Sequence, residues 1–379
     1  MVNAPGRAMT PVRYTHSIRN LILIVRADPI ICGHSTEARN LAEAAIEMGI
    51  GNVHIVSYPI DVLEQSDLPL KPLDSILPYS PGITVDRPSP IGDYKVLDQR
   101  LTMGIGGHLV DLLYRLEGST VLMDLYLVPH GAMVISAVRS FESSGRSASV
   151  FTVSEAVGSD ITNVVNNAIA DGRFGAAQMV LSNYLEHDLP VAVSDYTREI
   201  IIKAGEAVDD QLRTNFANRL SQSVQVSYPA IDTASYLAVE RDHATADDVL
   251  NRRQLRRDGY VMFLSRIAPA KGVDDLIEAY RSSQVYGVMP LVICGDGPSK
   301  KSIELLAAPF SSVYCLTAHW RQAPTLPSAG CQQKYGMSRP SDRHACNRLS
   351  APLTSSALPS TWIVAMVQSS SLARVSGRG

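Results

Sequence analysis

Arg266 and Lys271 bracket a short loop in FLSRIAPAKGVDDLIEAY (263–280), between an apolar run and an amphipathic helix pattern. A guanidinium grips a phosphate through two parallel hydrogen bonds, and an ammonium acts on it as a compact point charge. In open α/β sheets, ligands bind beyond the carboxyl ends of strands, and a helix start there adds positive partial charge. The two cations are therefore suited to a diphosphate. A solvated surface pair has the same spacing, so the neighbouring segments must decide between the two.

The next apolar run leads into LVICGDGPSKKS (291–302), which invites comparison with two phosphate loops. A Walker A loop needs a glycine five residues after the first, so that backbone amides can wrap the phosphate. Counting from Gly295, that position is Lys300. A dinucleotide loop, G-x-G-x-x-G, fails at the same residue, although Gly295 and Gly297 fit it. Pro298 also removes an amide that would face an anion. What remains is a strand–turn–helix unit opened by Pro298 or Ser299.

Positioning such groups requires a folded body, and the composition supplies one. The chain has 379 residues, 45% apolar and 19% charged, which is enough for two domains with substantial cores. A net charge of −3 gives no electrostatic reason to expect a nucleic-acid partner. The run LILIV (21–25) is too short for a membrane span, and the N-terminus lacks the apolar stretch of a secretory signal. The five cysteines have neither disulfide-framework nor zinc spacing. Together these place the chain in the cytoplasm, with at most a peripheral position at the membrane.

From residue 15 to 308 short apolar runs alternate with helical patterns. RNLILIVRAD (19–28), STEARNLAEAAIEMG (35–49) and NVHIVSYPI (52–60) read as strand, helix and strand, a βαβ unit that implies a parallel sheet. Further strands are expected at 119–128, 147–154, 190–194 and 224–231, with a helix at 196–208. The Pro-rich stretch 69–92 reads as a long surface excursion. After a charged helical stretch at 238–257 the pattern restarts with a strand at 259–267, a helix at 273–283 and a strand at 290–296. The expected division is one domain over 15–240, the start of a second over 258–308, and a tail over 309–379.

The tail differs in kind. Both tryptophans, Trp320 and Trp362, lie in it, and Asp342 is its only acidic residue. Periodicity is missing apart from TWIVAMV (361–367). A disordered basic tail has this composition. So does a change of reading frame near residue 309, which would produce sequence never selected to fold.

FLSRIAPAKGVDDLIEAY followed by LVICGDGP resembles the family 4 (group 1) glycosyltransferases of GT-B fold. Their second domain begins with G-R-h-x-x-x-K-G and continues to a strand ending in G-x-G-P. Arg266, Lys271, Gly272, Gly295, Gly297 and Pro298 match, while Ser265 stands for a glycine. Upstream, CGHSTEARNLAEAAIEMG is similar to the family's N-terminal glycine loop and first helix, with Gly33 matching and Cys32 replacing a glycine. VPHG (128–131) sits where the family often has a histidine facing the cleft. VAVSDYTREIIIKAG and VSYPAIDTASYL resemble two later segments, the second with Pro229 and Ala230 in place of Asn and Gly. The resemblance covers roughly residues 20–308.

That resemblance implies two Rossmann-like parallel-sheet domains facing a cleft, the second incomplete. It also implies retaining, metal-independent transfer from a nucleotide-diphospho-sugar, without a cofactor, to an unidentified saccharide, lipid or small-molecule acceptor. Arg266 and Lys271 would stabilise the leaving diphosphate, Gly33 and Gly295 would border the donor, and His130 would reach the sugar or the acceptor. Glu155 and Asp160, in SEAVGSD, either line the acceptor side or form a satisfied turn. The E-x7-E segment that contacts sugar and ribose in the family has no counterpart, since residues 309–379 contain no glutamate. The chain as it stands is therefore expected to be weak or inactive. A non-catalytic sugar- or protein-binding remnant is the alternative.

Overall fold

The computed structural model describes residues 18–66, 68–92, 97–146, 149–231 and 243–316. They divide into two compact units: 18–69 with Pro78–Ile231, and Leu70–Leu77 with 243–316.

The first unit is built on seven parallel strands in the order β3-β2-β1-β4-β5-β6-β7. These are β1 (Asn20–Ile24), β2 (Asn52–Val56), β3 (Ile83–Asp86), β4 (Thr120–Asp124), β5 (Val150–Ala156), β6 (Leu189–Ala192) and β7 (Gln225–Val226). Strand order reverses between β1 and β4, whose residues pair Asn20 to Thr120 through Ile24 to Asp124. NLILI and TVLMD are apolar throughout because helices cover both faces of the sheet. Alternation assigns the faces. Leu21, Leu23, Val121 and Met123 pack on Ala38, Leu41, Ala42 and Ala45 of helix α1 (Gly33–Glu47). Ile22, Ile24 and Leu122 pack on the opposite side, against helices α2 (Leu97–Arg115) and α3 (Ala132–Ser143). A third cluster joins α4 (Phe174–Glu186), α5 (Asp195–Leu212) and α6 (Phe216–Ser223).

Local signals explain the ends of these helices. The Cys32 sulfur accepts from the Ser35 amide at 3.4 Å and caps α1. Ser194 Oγ accepts from the Thr197 amide at 3.1 Å and caps α5. One expectation fails here. The Pro-rich stretch 69–92 is not all surface excursion, because Ile83–Asp86 forms β3, paired with β2 from Val53–Ile83 to Val56–Asp86. Ile83 and Val85 pack against the core, but four residues among prolines are too few to register as a strand pattern.

The second unit carries three parallel strands, β8 (Val261–Leu264), β9 (Leu291–Cys294) and β10 (Val313–Leu316), in the order β10-β9-β8. Two strands were expected, and β10 is the correction: the chain stays ordered past residue 309, pairing Val313 to Leu291 through Leu316 to Cys294. From 317 onward the expected tail lies outside the described residues. Helices α8 (Val273–Arg281) and α9 (Lys300–Ala307) cover one face through Ile277, Tyr280, Ile303 and Ala307. Leu250 of helix α7 (His243–Arg252), with Leu255, packs on Val292 and Cys294 of the other face. No helix among the described residues is long and apolar enough to cross a membrane.

Candidate functional site

In the first unit the polar groups collect at the carboxyl ends of β1, β4 and β5. Just past β1, the Arg26 guanidinium lies over the Tyr126 ring at 4.4 Å. His34, in the first turn of α1, stacks on the same ring at 4.2 Å. Burial, helped by Arg26, lowers His34 to about 4, so its ring is neutral near pH 7. Asp28 anchors the loop between β1 and α1. It accepts from Arg39 Nε at 3.2 Å, Arg39 Nη2 at 2.9 Å and Tyr79 Oη at 3.1 Å. Gly33 is exposed, and a Cβ there would meet nothing within 4 Å.

His130 follows β4 in the turn Leu127–Gly131, whose backbone is extended at Val128. It was expected to face a cleft. Instead it is 1% exposed, with Nε2 at 3.0 Å from Tyr58 Oη. Burial first, then Arg26 and His34, lowers it to about 3, so it is a neutral buried ring. Arg26 and His34, near that strand end, are partly exposed.

Behind them lies a buried polar layer. Asp124 and His187 pair at 3.0 Å with both side chains 0% exposed, and Ser154 Oγ donates to Asp124 at 2.9 Å. Burial opposes the charged His187 ring, but the Asp124 carboxylate outweighs it and raises that histidine. Asp160 accepts the Leu127 amide at 3.2 Å and is raised to about 6, mainly by burial. Glu155 lies inside β5 and is 1% exposed. Both acids of SEAVGSD are buried; Asp160 is satisfied by the Leu127 amide, whereas Glu155 Oε1 has no hydrogen-bond partner among the described residues.

In the second unit, Arg266 and Lys271 are exposed on the loop between β8 and α8, and neither pairs with an acid among the described residues. Gly272 caps α8 with φ of +58°, the left-handed conformation that favours glycine. Asp274 and Asp275 occupy the first turn of α8 and already complement its positive end. Attraction for an anion therefore rests on the Arg266 and Lys271 side chains. Gly295 ends β9 where a Cβ would run into the Ser265 carbonyl, and one at Gly297 would strike the Ile267 carbonyl. These glycines let the β9 turn pack under the β8 loop that carries Arg266. Helix α9 starts at Lys300 after Ser299, and Lys300 Nζ sits 3.8 Å from Glu304. The motif at 291–302 is thus a packing turn with surface lysines.

In the second unit Arg266 follows β8, Lys271 precedes α8 and Gly295 follows β9; in the first, Gly33 opens α1 after β1 and His130 follows β4. Sequence reasoning missed Arg26 and Tyr126. Their position just past the ends of β1 and β4 was the available signal, hidden because both strand boundaries were set too far along the chain.

Residues 250–310 match the family described as glycosyl transferases group 1. A 145-residue stretch is 28% identical to the GDP-mannose-dependent alpha-(1-6)-phosphatidylinositol monomannoside mannosyltransferase of two Mycobacterium tuberculosis strains, covering 36% of this chain. The match spans 37% of the length of those relatives. Among solved structures, the catalytic domain of starch synthase IV from Arabidopsis thaliana aligns with a TM-score of 0.55 at 14% identity, over 80% of this chain and 75% of that one. Residues 250–310 are thus similar to the glycosyl transferases group 1 family, and the chain shares its parallel-sheet fold with that starch synthase domain.

Proposed function

We propose that the chain derives from a retaining, metal-independent glycosyltransferase, and that Arg266 and Lys271 bind the diphosphate of a nucleotide-sugar donor. The observation that carries this is two exposed cations past a strand's carboxyl end, neither in an ion pair among the described residues, inside the segment that matches the family. As the bond from the sugar C1 to the diphosphate oxygen breaks, positive charge develops on the sugar ring and negative charge on the departing diphosphate. Arg266 and Lys271 oppose the growing negative charge, an interaction stronger in the transition state than in the bound donor. His130 serves as a neutral ring holding Tyr58, and no cofactor is needed.

GDP-mannose is the first donor to try, because it is the donor in the relatives' name. Residues 309–379 supply no glutamate pair for sugar and ribose, so donor binding is expected with slow or absent transfer. The test is to incubate the full chain with GDP-mannose and with UDP-sugars, with and without candidate lipid and saccharide acceptors, and follow nucleoside diphosphate release. Binding with little release supports the proposal. Turnover at ordinary enzymatic rates, about 1 per second or more, would refute the weak-activity part. Sugar binding that ignores the nucleotide would favour a carbohydrate-binding remnant.

A further inference from the structure

Three half-buried arginines of the first unit satisfy their donors within it. Arg39 donates to Asp28 Oδ2 from Nε at 3.2 Å and from Nη2 at 2.9 Å. Arg87 donates to the Tyr58 carbonyl at 2.7 Å, and Arg198 to the Val224 and Ser221 carbonyls at 3.1 and 2.7 Å. Arg26 is half-buried as well, yet among the described residues it donates to no carboxylate or carbonyl. What holds it is the Tyr126 ring, 4.4 Å from its guanidinium carbon. A cation kept partly out of water with unmatched donors is costly unless a ligand takes them. The stack orients the guanidinium beforehand, so little side-chain freedom is lost on binding.

Its position adds to this. Arg26 lies just past β1 and Tyr126 just past β4, the two strands between which the order of the sheet reverses. Ligands of open α/β sheets bind outside the carboxyl ends of strands at such a reversal. The first turn of α1 meets the same ring through His34, at 4.2 Å, and holds no acid to offset its positive end. By contrast, α5 and α8 carry Asp195 and Asp274 there. His130 approaches the ring edge-on at 5.5 Å, and its Nδ1 is buried without a hydrogen-bond partner among the described residues. An unmatched buried nitrogen is uncommon where side chains only pack. The acids of the neighbourhood are engaged elsewhere: Asp28 by Arg39 and Tyr79, Asp124 by His187 and Ser154, Asp160 by the Leu127 amide.

We propose that Arg26, stacked on Tyr126, binds the phosphate group of a phosphate-ester acceptor, giving the first unit an anion site of its own. That the ester is an acceptor rests on the transferase reading; the anion site does not. A planar guanidinium fits phosphate oxygens in pairs, whereas a neutral sugar would leave its charge unanswered. A soluble ester and a lipid headgroup present the same group, and experiment separates them.

The test is calorimetric titration of glycerol 3-phosphate into the full chain, beside flotation with phosphatidylcholine vesicles that contain or lack phosphatidylinositol. Binding of the ester alone identifies a soluble acceptor, and binding of phosphatidylinositol vesicles alone a lipid one; either result, or both, supports the site. Arg26→Ala should weaken binding by about tenfold or more, since a charge-assisted contact is lost. Arg26→Lys keeps the charge without the fork and should fall between; it also serves if Arg26→Ala does not fold. The Arg266→Ala/Lys271→Ala form should bind as the wild type does. Equal affinity in the wild type and the folded Arg26 variants, loss in the Arg266/Lys271 form, or no binding of either probe would overturn the proposal. A chain that binds these probes through Arg26 but takes no GDP-mannose keeps the site and refutes the transferase reading instead.

Discussion

In the first unit every strand except β3 and β7 lies between two neighbours, and helices close both faces. In the second, β8 is flanked only by β9 among the described residues. The alternating ladder turns the N–H and C=O groups of Val261 and Phe263 toward β9, and those of Met262 and Leu264 away from it. A doubly wound sheet continues on that open side, so the second unit has the form of half such a sheet. The polar groups differ in the same way. Those of the first unit are buried in a shared network, whereas the two cations of the second stand on an exposed loop. The first unit's residues therefore couple to stability, and the second unit's cations are free to serve a ligand at little cost to folding.

The largest effect should come from Asp124→Ala. It strands His187 in a 0% exposed site, and breaking a buried pair from one side costs about 3–5 kcal/mol. Chemical denaturation followed through the first unit checks this. Because His187 is raised in the folded state, its contribution is complete below the ordinary histidine range and fades as pH rises through the folded value. The penalty should accordingly be greater at pH 6 than at pH 9. An equal loss at both values would mean that the pair is not ionic.

Gly295→Ala comes next and acts on the other unit. Its Cβ would press on the Ser265 carbonyl, and overpacking of this kind costs about 1–3 kcal/mol. Amide exchange should show lost protection in β8 and β9 with β1 and β4 untouched. Loss spread evenly over both sheets would break the comparison.

Replacing Arg266 and Lys271 together with alanine should change stability by less than about 0.5 kcal/mol. Donor affinity should nonetheless fall at least tenfold, since each lost charged contact is worth about 1.5–3 kcal/mol. The smallest effect belongs to Arg139→Ala. Its pair with Glu186 is 2.5 Å long but 65% and 37% exposed, and such pairs contribute below about 1 kcal/mol. Thermal melting is sufficient to check it.

The order of elements was legible because fully buried parallel strands write continuous apolar runs, as NLILI and TVLMD do. That 291–302 is a strand–turn–helix unit was legible too, because Lys300 excludes both phosphate loops. β3 and β10 were not. Each has only four residues, one among prolines and the other where the surrounding composition changes. Glu37 gave no local signal: in STEARNLAEAAIEMG it reads as one more solvent-facing charge. Only the fold shows that it is buried, 5% exposed. His130 was placed correctly after a strand, but a strand-end position does not say whether a ring points outward or into the layer beneath.

The most direct test of the account is calorimetric titration of GDP-mannose, GDP and mannose into the full chain and into its Arg266→Ala/Lys271→Ala form. The account predicts binding of both diphosphates but not of mannose to the wild type, and its loss in the folded double variant. Equal diphosphate affinity in the two proteins, or no binding to the wild type at millimolar ligand, would contradict it.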